Sequence, residues 1–247
     1  MLDMATRLDN VVVDAADPLA LAGFWSAALG VPISYHDENE VDVGLPGFDL
    51  VFVPVAEPKV EQNRVHLDLA SQSADDHAAI VARLLLLGAE HADIGQGPEV
   101  PWVVLTDPEG NEFCVLEYRD EYSGIGPVAA VVVAAHDSLA QARFWAEATG
   151  RTVTRSGPDW ASLPGETGAS LEFVHSPATR AAKNRVHLDV RPRPGDDQGS
   201  DVARLLAAGA VPADIGQGDV PWTVLADPEG NQFCVLRPAA TSIRTGD

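Results

Sequence analysis

Asn63-Arg64-Val65-His66-Leu67-Asp68 returns, letter for letter, as Asn184-Arg185-Val186-His187-Leu188-Asp189. In both hexapeptides apolar and polar residues alternate, the two-residue period of a half-buried strand. The match spreads outward from there. Phe24-Trp25 recurs as Phe144-Trp145, and Ala92-Asp93-Ile94-Gly95-Gln96-Gly97 recurs as Ala213 to Gly218. Val100-Pro101-Trp102 recurs as Val220-Pro221-Trp222, Asp107-Pro108-Glu109-Gly110-Asn111 as Asp227 to Asn231, and Phe113-Cys114-Val115-Leu116 as Phe233 to Leu236. The offset runs 120, then 121, then 120 again, so one residue is gained in the early loops and one lost before the tryptophan. This is a tandem duplication, with a period far too long for a solenoid repeat. The stretch Tyr122-Ser123-Gly124-Ile125-Gly126-Pro127 carries the turn residues of a join. The expected domains are therefore 1–122 and 123–247.

Within a copy the pattern is short and regular. Leu8–Asp14 is β-branched and apolar, a strand. Asp17 suits an N-cap and Pro18 the first helical position, and Leu19–Leu29 has apolar residues at helical spacing, closed by Gly30. Short strands are expected at 33–36, 40–45, 49–54 and 64–69. A helix over 73–87 follows, ended by Gly88, then strands near 89–93, 101–106 and 112–118. Each copy thus reads β-α-β-β-β twice and the chain four times, an α+β architecture.

Composition excludes several classes. Apolar residues make up 46% of 247, enough for a packed core. The net charge of −21 argues against nucleic acid or an anionic membrane as partner, since phosphate binding needs a basic face. Residues 1–122 hold 23 acids and 5 bases (−18), and 123–247 hold 14 and 11 (−3), a solvated acidic surface. No apolar run approaches a membrane span. The N-terminus has no secretory pattern, and the two cysteines sit at matching places, so a reduced, cytoplasmic chain is expected. Two modules can satisfy each other's interfaces, which suits a monomer; a homodimer is the alternative.

The motifs Val13-Asp14-Ala15-Ala16-Asp17-Pro18 with Phe24-Trp25, Asn63–Asp68, and Asp107–Cys114, each repeated, resemble those of the vicinal oxygen chelate superfamily, specifically its glyoxalase-like and bleomycin-resistance branch. The resemblance covers nearly the whole chain. It implies βαβββ units whose curled mixed sheets surround cavities, with helices outside. Strand alternation then puts Val65, Leu67 and Leu69 on the helix side and Arg64, His66 and Asp68 on the concave side; Arg185, His187 and Asp189 follow the same parity. Phe113 and Val115 suit the helix side, leaving Cys114 and Leu116 toward the cavity.

The resemblance also implies metal ligands on the first, fourth, fifth and eighth strands. Those positions fall on Asn10, Val51, His66 and Cys114 in copy one and on Ala130, Glu172, His187 and Cys234 in copy two. Pairing across copies instead gives Ala130, Glu172, His66, Cys114 and Asn10, Val51, His187, Cys234. The best donors are His66, Glu172 and Cys114, a set that lacks a fourth ligand for zinc and suits harder ions poorly. The expectation is no cofactor, with a divalent metal as the alternative. Cys114 and Cys234 then read as small buried residues, or as reactive thiols beside His or Arg.

His66 and His187 read either as members of an Arg-His-Asp ladder or as ligand contacts, and they are the candidate general bases. Trp102, Trp160 and Trp222 read as core or as an aromatic wall for a planar ligand; Asp42 is the expected counterpart of Trp160. Trp25 and Trp145 read as core. The candidate ligand-binding set is therefore Arg64, His66, Asp68, Trp102, Cys114, Trp160, Glu172, Arg185, His187, Asp189, Trp222 and Cys234.

Two readings of function follow. The first is a protein that binds or sequesters a planar aromatic metabolite or antibiotic. The second is an enzyme: a glyoxalase- or dioxygenase-like metal catalyst, or a metal-free isomerase or lyase using His66 or His187.

Overall fold

The computed structural model describes residues 6–97, 99–177 and 183–239. Four βαβββ units follow one another. The first holds β1 (Arg7–Ala15), α1 (Pro18–Leu29), β2 (Ile33–His36), β3 (Val41–Leu45) and β4 (Phe48–Pro54). The second holds β5 (Val65–Leu69), α2 (Ala74–Leu86), β6 (Glu90–His91), β7 (Val103–Thr106) and β8 (Glu112–Val115). Copy two repeats them as β9 (Val128–Ala135), α3 (Ser138–Thr149), β10 (Arg155–Ser156), β11 (Trp160–Leu163) and β12 (Ser170–His175), then β13 (Val186–Arg191), α4 (Gln198–Ala207), β14 (Val211–Pro212), β15 (Thr223–Ala226) and β16 (Gln232–Val235). Among the described residues no helix is long and apolar enough to cross a membrane.

Local chemistry fixes the helix ends. The Asp17 carboxylate accepts from Ala20 N at 3.0 Å, Pro18 opens α1, and Gly30 closes it at φ 67°, a left-handed position that strains any residue with a Cβ. Asp137 and Gly150 do the same for α3. Leu21, Ala22, Phe24, Trp25, Ala28 and Leu29 form the buried stripe of α1 at three- and four-residue spacing.

The sheets do not follow the copies. Unit one pairs with unit four, giving sheet I in the order β14-β15-β16-β13-β1-β4-β3-β2. Unit two pairs with unit three, giving sheet II in the order β10-β11-β12-β9-β5-β8-β7-β6. The seams are antiparallel, β1 against β13 and β5 against β9. Each unit would otherwise leave its first strand as an open edge, and pairing across copies removes it. A continuous apolar core runs through both copies, with Phe113 and Val115 on the helix side as expected. Trp25 meets Phe113 edge-on at 5.0 Å between centroids, and Trp145 meets Phe233 at 5.2 Å.

The Asp-Pro-Glu-Gly-Asn turns lock this core. Buried Asp107 accepts from Trp25 Nε1 (3.2 Å) and from the backbone N–H of Asn111 (2.9 Å), and Asp227 does the same with Trp145 (3.2 Å) and Asn231 (3.0 Å). Glu109 reaches the start of α1, where Ala16 N and Asp17 N donate to it; Glu229 caps α3 likewise. These turns are thus clasps between units as well as chain reversals.

Candidate functional site

The concave face of sheet I forms an open hollow of about 1000 Å³. Register places its floor: His187 stands across from Val12, which pairs in turn with Val51; Asp189 stands across from Asn10 and beside Cys234. Sheet II repeats the arrangement. His66 is across from Val132, which pairs with Glu172, while Asp68 is across from Ala130 and beside Cys114. Of the two pairings open to the family's ligand positions, the fold therefore selects the one across copies.

In each sheet a His, an Asp and a Cys converge. The donor atoms of His66, Asp68 and Cys114 lie within 4.8 Å of one another, as do those of His187, Asp189 and Cys234. His66 Nε2 is 3.3 Å from Asp68 Oδ1 and His187 Nε2 is 3.4 Å from Asp189 Oδ1. Both Oδ1 atoms are buried, and neither accepts a hydrogen bond. Burial first, and then the adjacent aspartate, push both thiols well above the ordinary cysteine range.

The two hollows differ in what fills them. The 3-10 turn Asp120–Tyr122 in the join drops Tyr122 into sheet II, where it packs with Val104, Cys114, Leu116 and Ala129. Its hydroxyl donates to Glu172 Oε1 at 2.8 Å, and Ser162 Oγ donates to the same oxygen at 3.1 Å. Burial raises the carboxyl pKa of Glu172. Trp102 packs against this plug. Glu121 pairs with Arg155 at 3.0 Å, whose guanidinium lies 5.8 Å above the ring of Trp160.

The hollow of sheet I is acidic. Asp9, Asp14, Glu40, Asp42, Asp49, Glu57 and Asp189 line it against Lys183, Arg191 and Arg237, with Trp222 on one wall. Burial, reinforced by Glu40 and Asp49, pushes Asp42 up to about 7 from an ordinary value of 3.8. Over that window the unfolded chain has already released a proton that the folded chain keeps. Stability therefore falls as pH rises from 3.8 through 7. Asp42→Asn is expected to raise the thermal midpoint well above pH 7 and to leave it unchanged well below pH 3.8. Melting curves across that range check this, and an unaltered pH dependence would refute it.

Comparison with known proteins agrees with this geometry. The sequence profile of the glyoxalase-like domain matches residues 10–116 and again 130–236. The chain belongs to the glyoxalase-like domain family. Glyoxalase I from Zea mays superposes with a TM-score of 0.60 at 15% identity, covering 94% of this chain and 92% of that one. A variant of that maize enzyme gives 0.62 at 14%, covering 94% and 92%. A provisionally named dioxygenase from Bacillus subtilis gives 0.63 at 14%, covering 95% and 86%. No curated protein matches the sequence significantly.

Against this glyoxalase-like frame, several expectations change. The expectation of no cofactor is corrected: the fold brings together two groups able to hold a metal ion, His66 with Asp68 and Cys114, and His187 with Asp189 and Cys234, each with an aspartate where the matched fourth-strand positions were Glu172 and Val51. Glu172 is instead engaged by Tyr122 and Ser162. The first-strand residues level with the histidines are Val12 and Val132, two pairs along from Asn10 and Ala130. Trp160 pairs with Val174, and the counterpart of Asp42 is Ser162, since each faces the fourth-strand residue of its sheet, Val51 or Glu172. Arg64 and Arg185 precede their strands, where alternation no longer governs direction. Both line a separate cavity at the seam between copies. Trp222 lies in the open hollow, its Nε1 donating to Gln217 at 2.8 Å.

The donor sets fit a metal. In tetrahedral zinc, bonds of about 2.0–2.2 Å to nitrogen and oxygen put neighbouring donors about 3.3–3.5 Å apart. The His–Asp separations of 3.3 and 3.4 Å match that edge, and each aspartate Oδ1 lacks a hydrogen-bond donor.

Proposed function

We propose that this chain binds a planar, positively charged small molecule in the hollow of sheet I. The observation that carries the reading is the hollow itself: about 1000 Å³, open, walled by Trp222 and rich in carboxylates. That volume lies at the upper end of ordinary ligand sites. An aromatic face and anionic walls both favour a flat cation. Sheet II is a poorer candidate because Tyr122 occupies the equivalent space.

Titration of tryptophan fluorescence with proflavine, a planar cation, and 2-naphthoate, a planar anion, tests this. Saturable quenching by proflavine alone is expected, lost in Trp222→Ala and tightening as pH rises through 7, where Asp42 ionises. Equal response to both probes, or retention in Trp222→Ala, would overturn it.

A second reading is favoured by the convergence of His187, Asp189 and Cys234 on the floor of the same hollow. These residues would hold a divalent ion, zinc by their donor types. Such an ion supplies Lewis acidity to an oxygen of a bound molecule. His187, Asp189 and Cys234 then orient the guest, and the thiol releases its proton on loading. Equilibrium dialysis against zinc should show about one ion per chain fewer retained by His187→Ala than by the parent chain, whatever the group of sheet II holds. Retention unchanged by that substitution would sink the assignment.

A further inference from the structure

Tyr122, which closes the hollow of sheet II, comes to it from outside the repeating units. It sits on the 3-10 turn Asp120–Tyr122 in the join, and between 117 and 127 it is the only buried residue. The join is fastened at both ends. Leu116 N donates to Leu69 O at 2.9 Å, and Ala70 N donates to Pro127 O at 3.0 Å. Between those ties Tyr118 donates to Asp120 and Arg119 to Glu117, bonds made inside the segment that travel with it as one strap. Gly124 and Gly126, at φ 75° and 113°, give the strap its joints. Its tie to the far wall is the 3.0 Å ion pair of Glu121 with Arg155, whose side chains are 42% and 41% exposed. Contacts of that class hold weakly in water.

The space that Tyr122 fills belongs to the fold rather than to the tyrosine. In sheet I the matching strands leave an open hollow of about 1000 Å³. In sheet II the phenol ring packs with Val104, Cys114, Leu116 and Ala129 in a cluster separate from the main core. Withdrawing the ring uncovers that cluster and leaves the main core packed. The polar end is equally particular. One oxygen of Glu172 accepts from the Tyr122 hydroxyl at 2.8 Å and from Ser162 Oγ at 3.1 Å. At the matching places sheet I carries Val51 and Asp42. A carboxyl oxygen oriented by a serine, at the end of an apolar slot, meets both needs of a phenol: an acceptor for its proton and dry walls for its ring.

We propose that the hollow of sheet II is a binding site for a para-substituted phenol, held closed by Tyr122 as a built-in occupant. A free phenol takes the place of the Tyr122 ring, donates its hydroxyl to Glu172 Oε1, and releases the strap 117–126 to solvent. The para position is where the Tyr122 ring joins its backbone, so the guest's substituent leaves along the route the strap vacates. The guest binds the open form alone, and its apparent affinity is the intrinsic one reduced by the fraction of chains that are open. Its chemistry differs from that of the flat cation in sheet I, and neither site requires the other.

Hydrogen exchange of the full chain, read by mass spectrometry, tests this with two probes: p-cresol, which is the tyrosine side chain alone, and 4-methylanisole, which lacks the hydroxyl donor. p-Cresol is expected to speed exchange in peptides from 117–127 about threefold or more and to leave the rest of the chain unaltered. At the same concentration 4-methylanisole should do neither. Glu121→Gln, which loosens the strap's outer tie without making a cavity, should about double the response to p-cresol. These measurements need no truncation. In Tyr122→Ala the strap no longer competes, so p-cresol should bind at least tenfold more tightly than to the parent chain. There it should slow maleimide labelling of Cys114 and not of Cys234. Binding confined to Tyr122→Ala, with exchange in the parent unmoved, would mean a hole made by truncation and refute the proposal. An equal response to 4-methylanisole refutes the Glu172 anchor, and protection of Cys234 places the phenol in sheet I; either outcome overturns it.

Discussion

Trp145→Ala should lower the unfolding free energy by about 3–5 kcal/mol, the usual loss for truncating a buried tryptophan. Its side chain is 1% exposed and packs edge-on against Phe144 and Phe233. Its indole N–H also donates to Asp227 Oδ2, an oxygen that keeps Gln141 and Asn231 as donors, so lost packing dominates the cost. At this chain length the loss corresponds to a fall in melting temperature of roughly 6–20 °C. Trp222→Ala is the contrast. That ring is only half-buried and lines an open hollow, so about 1 kcal/mol or less is expected. Calorimetry of the two variants decides the matter: equal losses would mean that Trp145 is not the keystone the packing indicates.

Tyr122→Ala should cost about 3 kcal/mol and, more tellingly, unstop the hollow of sheet II. Tyr122 is 4% exposed and belongs to the same apolar cluster as Cys114. Its removal is expected to raise the rate at which a maleimide labels Cys114 by roughly tenfold or more, through easier local opening. Labelling of Cys234, in the other sheet, should not change. Tyr122→Phe keeps the ring and loses only the 2.8 Å bond to Glu172, so about 1 kcal/mol and no gain in labelling are expected. Mass spectrometry of labelled peptides reads both thiols at once. Equal acceleration at Cys114 and Cys234 would point to global loosening and refute the plug.

Much of this architecture was legible in the letters. The repeated hexapeptide, the capped helices and the alternation of Phe113 with Cys114 rest on local chemistry, and local chemistry is written residue by residue. Sheet partnership was not. Pairing within a copy and pairing across copies satisfy the same alternation, and only the docking of whole units chooses between them. Arg64 and Arg185 went astray for a related reason: parity holds inside a strand, and both precede its first ladder bond. Tyr122 lay within a stretch marked by glycine and proline as a join, where nothing advertises a side chain that turns inward. Asp68 and Asp189 were visible as neighbours of the histidines. Their convergence with the cysteines depends on β5 lying beside β8 and β13 beside β16, a matter of tertiary placement.

The crossing of units between the two sheets bears on how such a chain diverges. A single copy, released from its fellow, would have two raw strand borders and could finish its sheets only by joining an identical molecule. Symmetry would then oblige both chambers to be the same, so any change made in one would be made in the other. Covalent fusion lifts that obligation. One chamber could be stoppered by a tyrosine borrowed from the tether while the other stayed open to guests, an inequality unavailable to a symmetric pair.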